Sequence, residues 1–88
     1  MTQPTRVFII DDDEAIRDSL QLMLETVDID CQLFSSAEEF LERFDMELSG
    51  CIVLDLNLPG MNGIELQAEL ERRNIRLPII FLTSYGTV

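Results

Sequence analysis

Ile52-Val53-Leu54-Asp55 runs directly into Leu56-Asn57-Leu58-Pro59-Gly60-Met61-Asn62-Gly63, and the rest of the chain is best interpreted around this stretch. Three adjacent apolar residues, two of them β-branched, predict a strand that is buried on both faces. The strand ends on a carboxylate, and the loop behind it contains proline, glycine and asparagine, which favour a sharp turn away from the sheet. Because open α/β sheets bind ligands at the carboxyl ends of their strands, Asp55 is a candidate site residue.

The composition limits the chemistry that the chain can perform. Its 88 residues suffice for one small domain, and an apolar content of 47% indicates a globular chain. The net charge of −11 argues against nucleic acid as a partner of this segment. There is no histidine and no lysine, which excludes a histidine-based triad and histidine-ligated zinc. We find no apolar run long enough to cross a membrane and no secretory signal, so no membrane partner is expected.

The two cysteines, Cys31 and Cys51, are too few for a disulfide framework. They fall in predicted strands that are not neighbours in the sheet. We therefore expect free, buried thiols and a reducing, cytoplasmic location.

Strands and helices alternate along the chain. Apolar runs predict strands at 6–10, 30–34, 51–55 and 79–83, the second of them at an edge. Helical spacing of apolar residues predicts helices from Glu14 to about Val27, after a Ser36–Glu39 capping box, and from Ile64 to about Arg73. The order βαβαβαβ predicts an α/β fold with a doubly wound parallel sheet. The residues expected in its core include Ile16, Leu20, Met23, Phe40, Leu41, Phe44, Leu66 and Leu70.

Polar residues follow three of these strands at the edge where the carboxyl ends of parallel strands meet. They are Asp11, Asp12 and Asp13 after the first strand, Asp55 after the third, and Thr83 and Ser84 after the fourth. Crowded carboxylates require a cation, and oxygen ligands without histidine or cysteine favour Mg²⁺. A carboxylate beside Mg²⁺ and a hydroxyl is suited to accept a phosphoryl group. Asp13 is interpreted as a helix cap or a solvated residue rather than a ligand, and a plain Asx turn is the alternative interpretation of Asp55.

With these segments in place, the sequence resembles the receiver domain of two-component response regulators. The matching segments are Asp11-Asp12 after 7–10, Asp55 after 52–54, the loop 58–63, and Thr83 after 78–82. The segments 11–14 and 36–40 and the helix after Gly63 are similar to receivers that precede LuxR-type helix-turn-helix domains. The resemblance implies a flavodoxin-like fold and a signalling role, not an enzyme.

The resemblance also implies a role for each matching residue. Asp55 would be the phosphoacceptor for a sensor histidine kinase. Asp12 would bind Mg²⁺ directly, Asp11 directly or through water, and Asn57 through its backbone carbonyl. Asp55 would complete the metal ligands.

Two further residues would act on the phosphoryl group itself. The Thr83 hydroxyl would bind a phosphoryl oxygen and reorient on activation, helped by the Ser84 amide. Gly63 would lie in the turn that enters the third helix.

The family has a fourth helix, a fifth strand and a fifth helix beyond the point matched by Val88, together with a lysine that pairs with the phosphoryl group. We therefore expect residues 1–88 to be a receiver domain that is truncated before these three elements. The fourth strand would then be a bare apolar edge beside an uncovered sheet face. Self-association through that edge or face is expected.

Three other functions are weighed against the receiver. A phosphatase of the haloacid-dehalogenase type needs an aspartate where Asn57 stands, and it also needs a lysine. An EF-hand starting at Asp55 needs an oxygen ligand at Pro59 and a glutamate at Leu66. The remaining alternative is an interaction or dimerisation piece that performs no phosphotransfer.

Overall fold

The computed structural model describes residues 5–44 and 49–82, and its elements follow the predicted order. They are β1 (Thr5–Ile10), α1 (Glu14–Glu25), β2 (Asp30–Phe34), α2 (Ala37–Arg43), β3 (Ser49–Asp55), α3 (Gly63–Arg72) and β4 (Ile79–Leu82). The predicted boundaries are close. Helix α1 ends two residues before Val27, β3 begins two residues earlier than predicted, and α3 is shifted by one residue towards the N-terminus.

The four strands form one parallel sheet in the order β2-β1-β3-β4. The α/β prediction is confirmed, and within the described residues β2 lies at an edge, as expected. Strand β2 pairs on one side of β1, and β3 pairs on the other side. The strand order therefore reverses at β1, because the chain goes first to one side of this strand and then to the other. At such a point a crevice forms outside the carboxyl ends of the two adjacent strands, here β1 and β3.

The core lies between the sheet and the helices α2 and α3. Its fully buried members include alternate residues of β1 and β3, as expected for one face of a pleated strand. They pack with Phe34, Phe40, Leu66 and Leu70. The rings of Phe34 and Phe40 meet edge to face with 5.1 Å between their centroids. Predicted core positions on α2 and α3 are thus confirmed, with Leu41 and Phe44 partly buried against the cluster.

The opposite face of the sheet carries α1, and here the predicted burial is wrong. Helix α1 has no buried residue, and the side chains of Ile16 and Met23 are 40% and 60% exposed. Its apolar spacing is helical, but one helix is narrower than the sheet. It packs against β2 and β1, where Ile9 is fully buried, and leaves Ile80 of β4 55% exposed. The predicted burial of β4 on both faces is therefore also wrong within the described residues.

The capping box predicted for α2 is half correct. The Ser36 hydroxyl accepts a hydrogen bond from the Glu39 amide at 3.0 Å, as expected. The Glu39 carboxylate reaches one residue further back, to the amide of Ser35 at 2.8 Å. A complete capping box, which the sequence analysis did not identify, starts α3 with Asn62 and Glu65. These caps fix where each helix begins after its strand.

The two cysteines are free, as predicted, but only half-buried. Cys31 on β2 and Cys51 on β3 both lie in register with Val7 of β1. One strand separates them, so the two thiols cannot pair. None of the helices described here has both the length and the apolar content needed to cross a bilayer.

Candidate functional site

Two aspartates end the neighbouring strands that border the crevice. Asp11 follows β1, and its amide donates to the carbonyl of Phe34 at 3.1 Å, which continues the pairing with β2. Asp55 is the last residue of β3. Their side chains are 5% and 8% exposed, and they are the only charged residues classed as buried in the described part of the chain. Because burying carboxylates is costly, this placement points to a site.

The acidic turn after β1 holds Asp11 in a fixed orientation. The Asp13 amide donates to Asp11 Oδ1 at 2.8 Å. Asp13 caps α1 and accepts from the Ala15 amide at 2.9 Å, so its predicted role as a cap is confirmed. Arg17 donates from Nη1 to the backbone carbonyl of Asp11 at 2.7 Å, which ties α1 to the turn. Asp12, between the two held aspartates, remains exposed.

Asp55 is held in a similar way by the residue two positions after it. The Asn57 amide donates to Asp55 Oδ1 at 3.0 Å, which is the Asx turn considered from the sequence. Within the described residues no hydrogen bond reaches Oδ2. The turn and the site interpretation are therefore compatible, since the turn uses Oδ1 and leaves Oδ2 without a hydrogen bond among the described residues.

The start of α3 packs against the backbone at the end of β3. The Gly63 amide donates to the Leu56 carbonyl at 3.2 Å. A Cβ atom on Gly63 would lie 2.7 Å from the Asp55 carbonyl oxygen and 3.0 Å from Leu56 Cα. A side chain cannot fit there, so glycine is required for the close approach of helix and strand. The side chain of Leu58, 4% exposed, anchors the connecting loop in the core.

Asp11, Asp12 and Asp55 form the acidic cluster, in which one carboxylate oxygen from each residue lies within 4.8 Å of the others. Ligands about 2.1 Å from one Mg²⁺ are at most about 4.2 Å apart, so the cluster is close to ligand spacing. The donor set is oxygen only, which suits this hard ion. The residues present therefore fit Mg²⁺.

Burial and repulsion act on the protonation of Asp11. Burial is the larger effect and raises the pKa of Asp11 above its ordinary value of 3.8. The hydrogen bond from the Asp13 amide opposes this shift, while repulsion from Asp55, Asp12 and Asp13 adds to it. A bound cation would offset both the burial and the repulsion.

The acidic cluster opens on a cavity of about 440 Å³. The structure brings Asp11, Asp12, Asp55 and Asn57 to this cavity. Thr83 and Ser84 lie outside the described residues, which end at Leu82 on the cavity wall. Sequence reasoning missed the apolar wall formed by Ile16 and Leu20, because their helical spacing had assigned both to the core.

A family model described as the response regulator receiver domain matches residues 7–88. Among curated proteins, the transcriptional regulatory protein TdiR of Thauera aromatica is 41% identical over 80 residues, covering 91% of this chain and 35% of that protein. The transcriptional regulatory protein FixJ of Bradyrhizobium diazoefficiens is 36% identical over 88 residues, covering 100% of this chain and 43% of its own length. The chain thus spans less than half the length of these relatives.

Solved structures give the same result. The response regulator StyR is similar with a TM-score of 0.90 and 39% identity, covering 99% of this chain and 43% of that one. The response regulator protein TrrA of Thermotoga maritima, in complex with Mg(2+)-BeF, has a TM-score of 0.82 and 28% identity. That match covers 93% of this chain and 71% of TrrA.

Proposed function

The chain belongs to the family of response regulator receiver domains, and on this basis we propose that Asp55 accepts a phosphoryl group from a sensor histidine kinase in the presence of Mg²⁺. The observation that carries the proposal is the acidic cluster at the ends of β1 and β3. It combines two buried carboxylates with an exposed one beside an open cavity. Such an arrangement is costly unless a cation binds, and it leaves one oxygen of Asp55 available for reaction.

The metal ligands would be Asp11, Asp12, Asp55 and the backbone carbonyl of Asn57. Bound Mg²⁺ supplies positive charge that neutralises the phosphoryl oxygens. The chain's own contribution is orientation. Asp13 holds Asp11 through its amide, and Asn57 holds Asp55 in the same way, so the carboxylates need little rearrangement when a ligand arrives.

In the transfer step, Oδ2 of Asp55 attacks phosphorus while the bond from phosphorus to the histidine nitrogen of the kinase breaks. The electron pair of that bond returns to the nitrogen, and a P–O bond forms at Asp55. Oδ1 keeps its hydrogen bond from the Asn57 amide throughout. The Thr83 hydroxyl and the Ser84 amide are proposed to bind the phosphoryl oxygens. The 88 residues contain no lysine to assist them.

The metal half of the proposal is tested by titrating the chain with MgCl₂ and following backbone amide shifts. The wild type should respond around Asp11 and Asp55, and Asp12→Asn should lose most of the response because it removes an anionic ligand. Asp18→Asn is the matched control, since Asp18 is an exposed acid on α1 outside the cluster. A wild type that gives no saturable response would refute the proposed metal site.

The phosphoacceptor half is tested with beryllofluoride, which mimics a phosphoryl group, and with an acyl phosphate donor. Asp55→Asn should abolish both the beryllofluoride response and the covalent label, because the amide is not a nucleophile. The labelled bond should be an acyl phosphate, which hydroxylamine cleaves. Label that persists on Asp55→Asn would exclude this residue as the acceptor.

We propose that the receiver controls a transcriptional output domain of the LuxR type and works in the cytoplasm. Support comes from relatives that are named transcriptional regulatory proteins and are more than twice the length of the matched region. The half-buried free thiols Cys31 and Cys51 are compatible with a reducing compartment. Residues 1–88 are proposed to form the N-terminal part of a receiver domain, up to its fourth strand.

A second candidate function is self-association without phosphotransfer. The observation that favours it is the exposed apolar surface formed by Ile80 on β4 and by Ile16 and Met23 on α1. Burial of this surface against a second copy would remove apolar area from water. Sedimentation of the 88-residue chain, compared with its Mg²⁺ and beryllofluoride responses, distinguishes the two functions. Dimers that give neither response would favour the second.

A further inference from the structure

Glu38 makes a contact that the acidic cluster does not explain. It lies exposed in the first turn of α2, and its Oε2 accepts a hydrogen bond from the Met61 amide at 3.0 Å. These two residues are 23 positions apart, whereas the other side-chain hydrogen bonds between described residues join partners at most 6 positions apart. Within that part of the chain, Glu38 alone connects distant segments through a side-chain hydrogen bond.

Gly60 makes room for this carboxylate. Its φ of +73° lies in the left-handed region, which favours glycine. A Cβ atom on Gly60 would also lie 2.8 Å from Glu38 Oε2. The missing side chain therefore serves two purposes, since it permits the turn and lets the carboxylate reach the next amide.

The contact falls on the loop that links the acidic cluster to α3. That loop, residues 56–62, is fixed at its start by the Asn57 amide on Asp55 and at its end by the Asn62 cap. Leu58 anchors it in the core between these points. Glu38 fixes the stretch between Leu58 and Asn62, which no other side-chain hydrogen bond between described residues holds.

We propose that Glu38 is a positioning residue for the metal site, which acts by holding the loop at Met61 and so fixing the backbone of Asn57. The proposal rests on the proposed function, in which the Asn57 carbonyl is a Mg²⁺ ligand. The Met61 amide is the main cause that lowers the pKa of Glu38 below its ordinary value.

If Glu38 acts by positioning the loop, its acceptor oxygen is required and its charge is not. Glu38→Ala removes the acceptor and should weaken Mg²⁺ binding about three- to tenfold, the loss expected when one supporting hydrogen bond is removed. Glu38→Gln keeps a carbonyl oxygen at the same place and should stay within about twofold of the wild type. Glu42→Ala is the matched control, because Glu42 is exposed on the same helix and makes no hydrogen bond among the described residues.

The experiment titrates the wild type and the three variants with MgCl₂ by amide shifts and measures hydrogen exchange of the Met61 amide. The proposal expects Glu38→Ala alone to lose both Met61 protection and Mg²⁺ affinity. If Glu38→Ala binds Mg²⁺ with wild-type affinity, the proposal is overturned, while the proposed metal site is unaffected. An equal loss in Glu38→Gln overturns it in favour of a charge effect. A wild type that does not bind Mg²⁺ defeats the proposed function and this inference together, whatever Met61 does.

A second variant covers the case in which Glu38→Ala disturbs α2, as judged by far-ultraviolet circular dichroism. Glu38→Asp keeps the charge but shortens the side chain by one methylene, so it should lose Met61 protection and affinity in the same direction. If Glu38→Asp keeps both the Met61 protection and the Mg²⁺ affinity of the wild type, the contact does not require the length of a glutamate side chain and the proposal is overturned.

Discussion

Replacing Gly63 by alanine tests how tightly the acidic cluster depends on the contact between α3 and β3. The new Cβ would lie 2.7 Å from the Asp55 carbonyl oxygen, whereas ordinary contact begins at 3.4 Å, a shortfall of 0.7 Å. The nearest atoms are all backbone, of Asp55 and Leu56, so no side chain can rotate away. Either α3 or the end of β3 has to move.

The magnitude follows from two opposing effects. Overpacking of a closely packed contact costs about 2–3 kcal/mol, and alanine gains about 0.5–1 kcal/mol over glycine in a helix. The net loss of stability is therefore about 1–2.5 kcal/mol. With a urea m-value of about 1 kcal/mol/M for a chain of this size, the midpoint should fall by about 1–2.5 M.

The assay is urea denaturation followed by circular dichroism, together with a Mg²⁺ titration of the folded variant. Ile64→Ala is the control, since Ile64 is the next residue on the same helix and is 56% exposed. It should shift the midpoint much less. A Gly63→Ala protein with the wild-type midpoint and unchanged Mg²⁺ affinity would refute the reasoning, because α3 would then not be clamped on the end of β3.

Three further predictions concern the cluster, the core and the exposed face. Asp11→Asn removes a carboxyl whose pKa burial raises. The protonated carboxyl of Asp11 contributes stability that is complete below pH 3.8, its ordinary pKa, and that is lost as the pH rises through the raised pKa of the folded protein. At pH 7 the wild type therefore carries a buried charge that the variant lacks. In the absence of metal, the variant should resist urea better than the wild type at this pH. Lower urea resistance in the metal-free variant would contradict this expectation. The variant should also bind Mg²⁺ more weakly than the wild type. Leu66→Ala, at a fully buried position, should cost about 2–5 kcal/mol in thermal or urea denaturation, far more than Ile64→Ala. Ile80→Lys should lower self-association in sedimentation velocity, because it places a charge on an exposed apolar position of β4. An unchanged oligomer distribution would show that β4 is not part of the interface.

The sheet was predictable because the local sequence pattern identifies each of its strands. Runs of adjacent apolar residues such as Ile52–Leu54 end on turn-forming or acidic residues, and their order along the chain permits few topologies. The clustering of Asp11, Asp12 and Asp55 followed from the same topology, since parallel strands bring their carboxyl ends to one edge. Local pattern and global fold agree there, so the prediction was reliable.

The burial of α1 was not predictable, because periodicity reports which side of a helix is apolar and not what covers it. Ile16 and Met23 have the spacing of core residues and are nevertheless exposed. The link between Glu38 and Met61 was hidden for a different reason. An exposed glutamate near a helix start is common, and only the folded backbone reveals that an amide 23 residues away lies within its reach.

The unequal packing of the two sheet faces has a consequence for the order in which the molecule opens. Helices α2 and α3 contribute fully buried side chains to the core, whereas α1 contributes none. Regions with little buried apolar surface open at low free energy, separately from the global transition. The amides of α1 should therefore exchange with solvent well before those of β1 and β3. Since Arg17 of α1 holds the carbonyl of Asp11, each such opening also releases one side of the acidic cluster, so that ligand binding there should slow the exchange of α1.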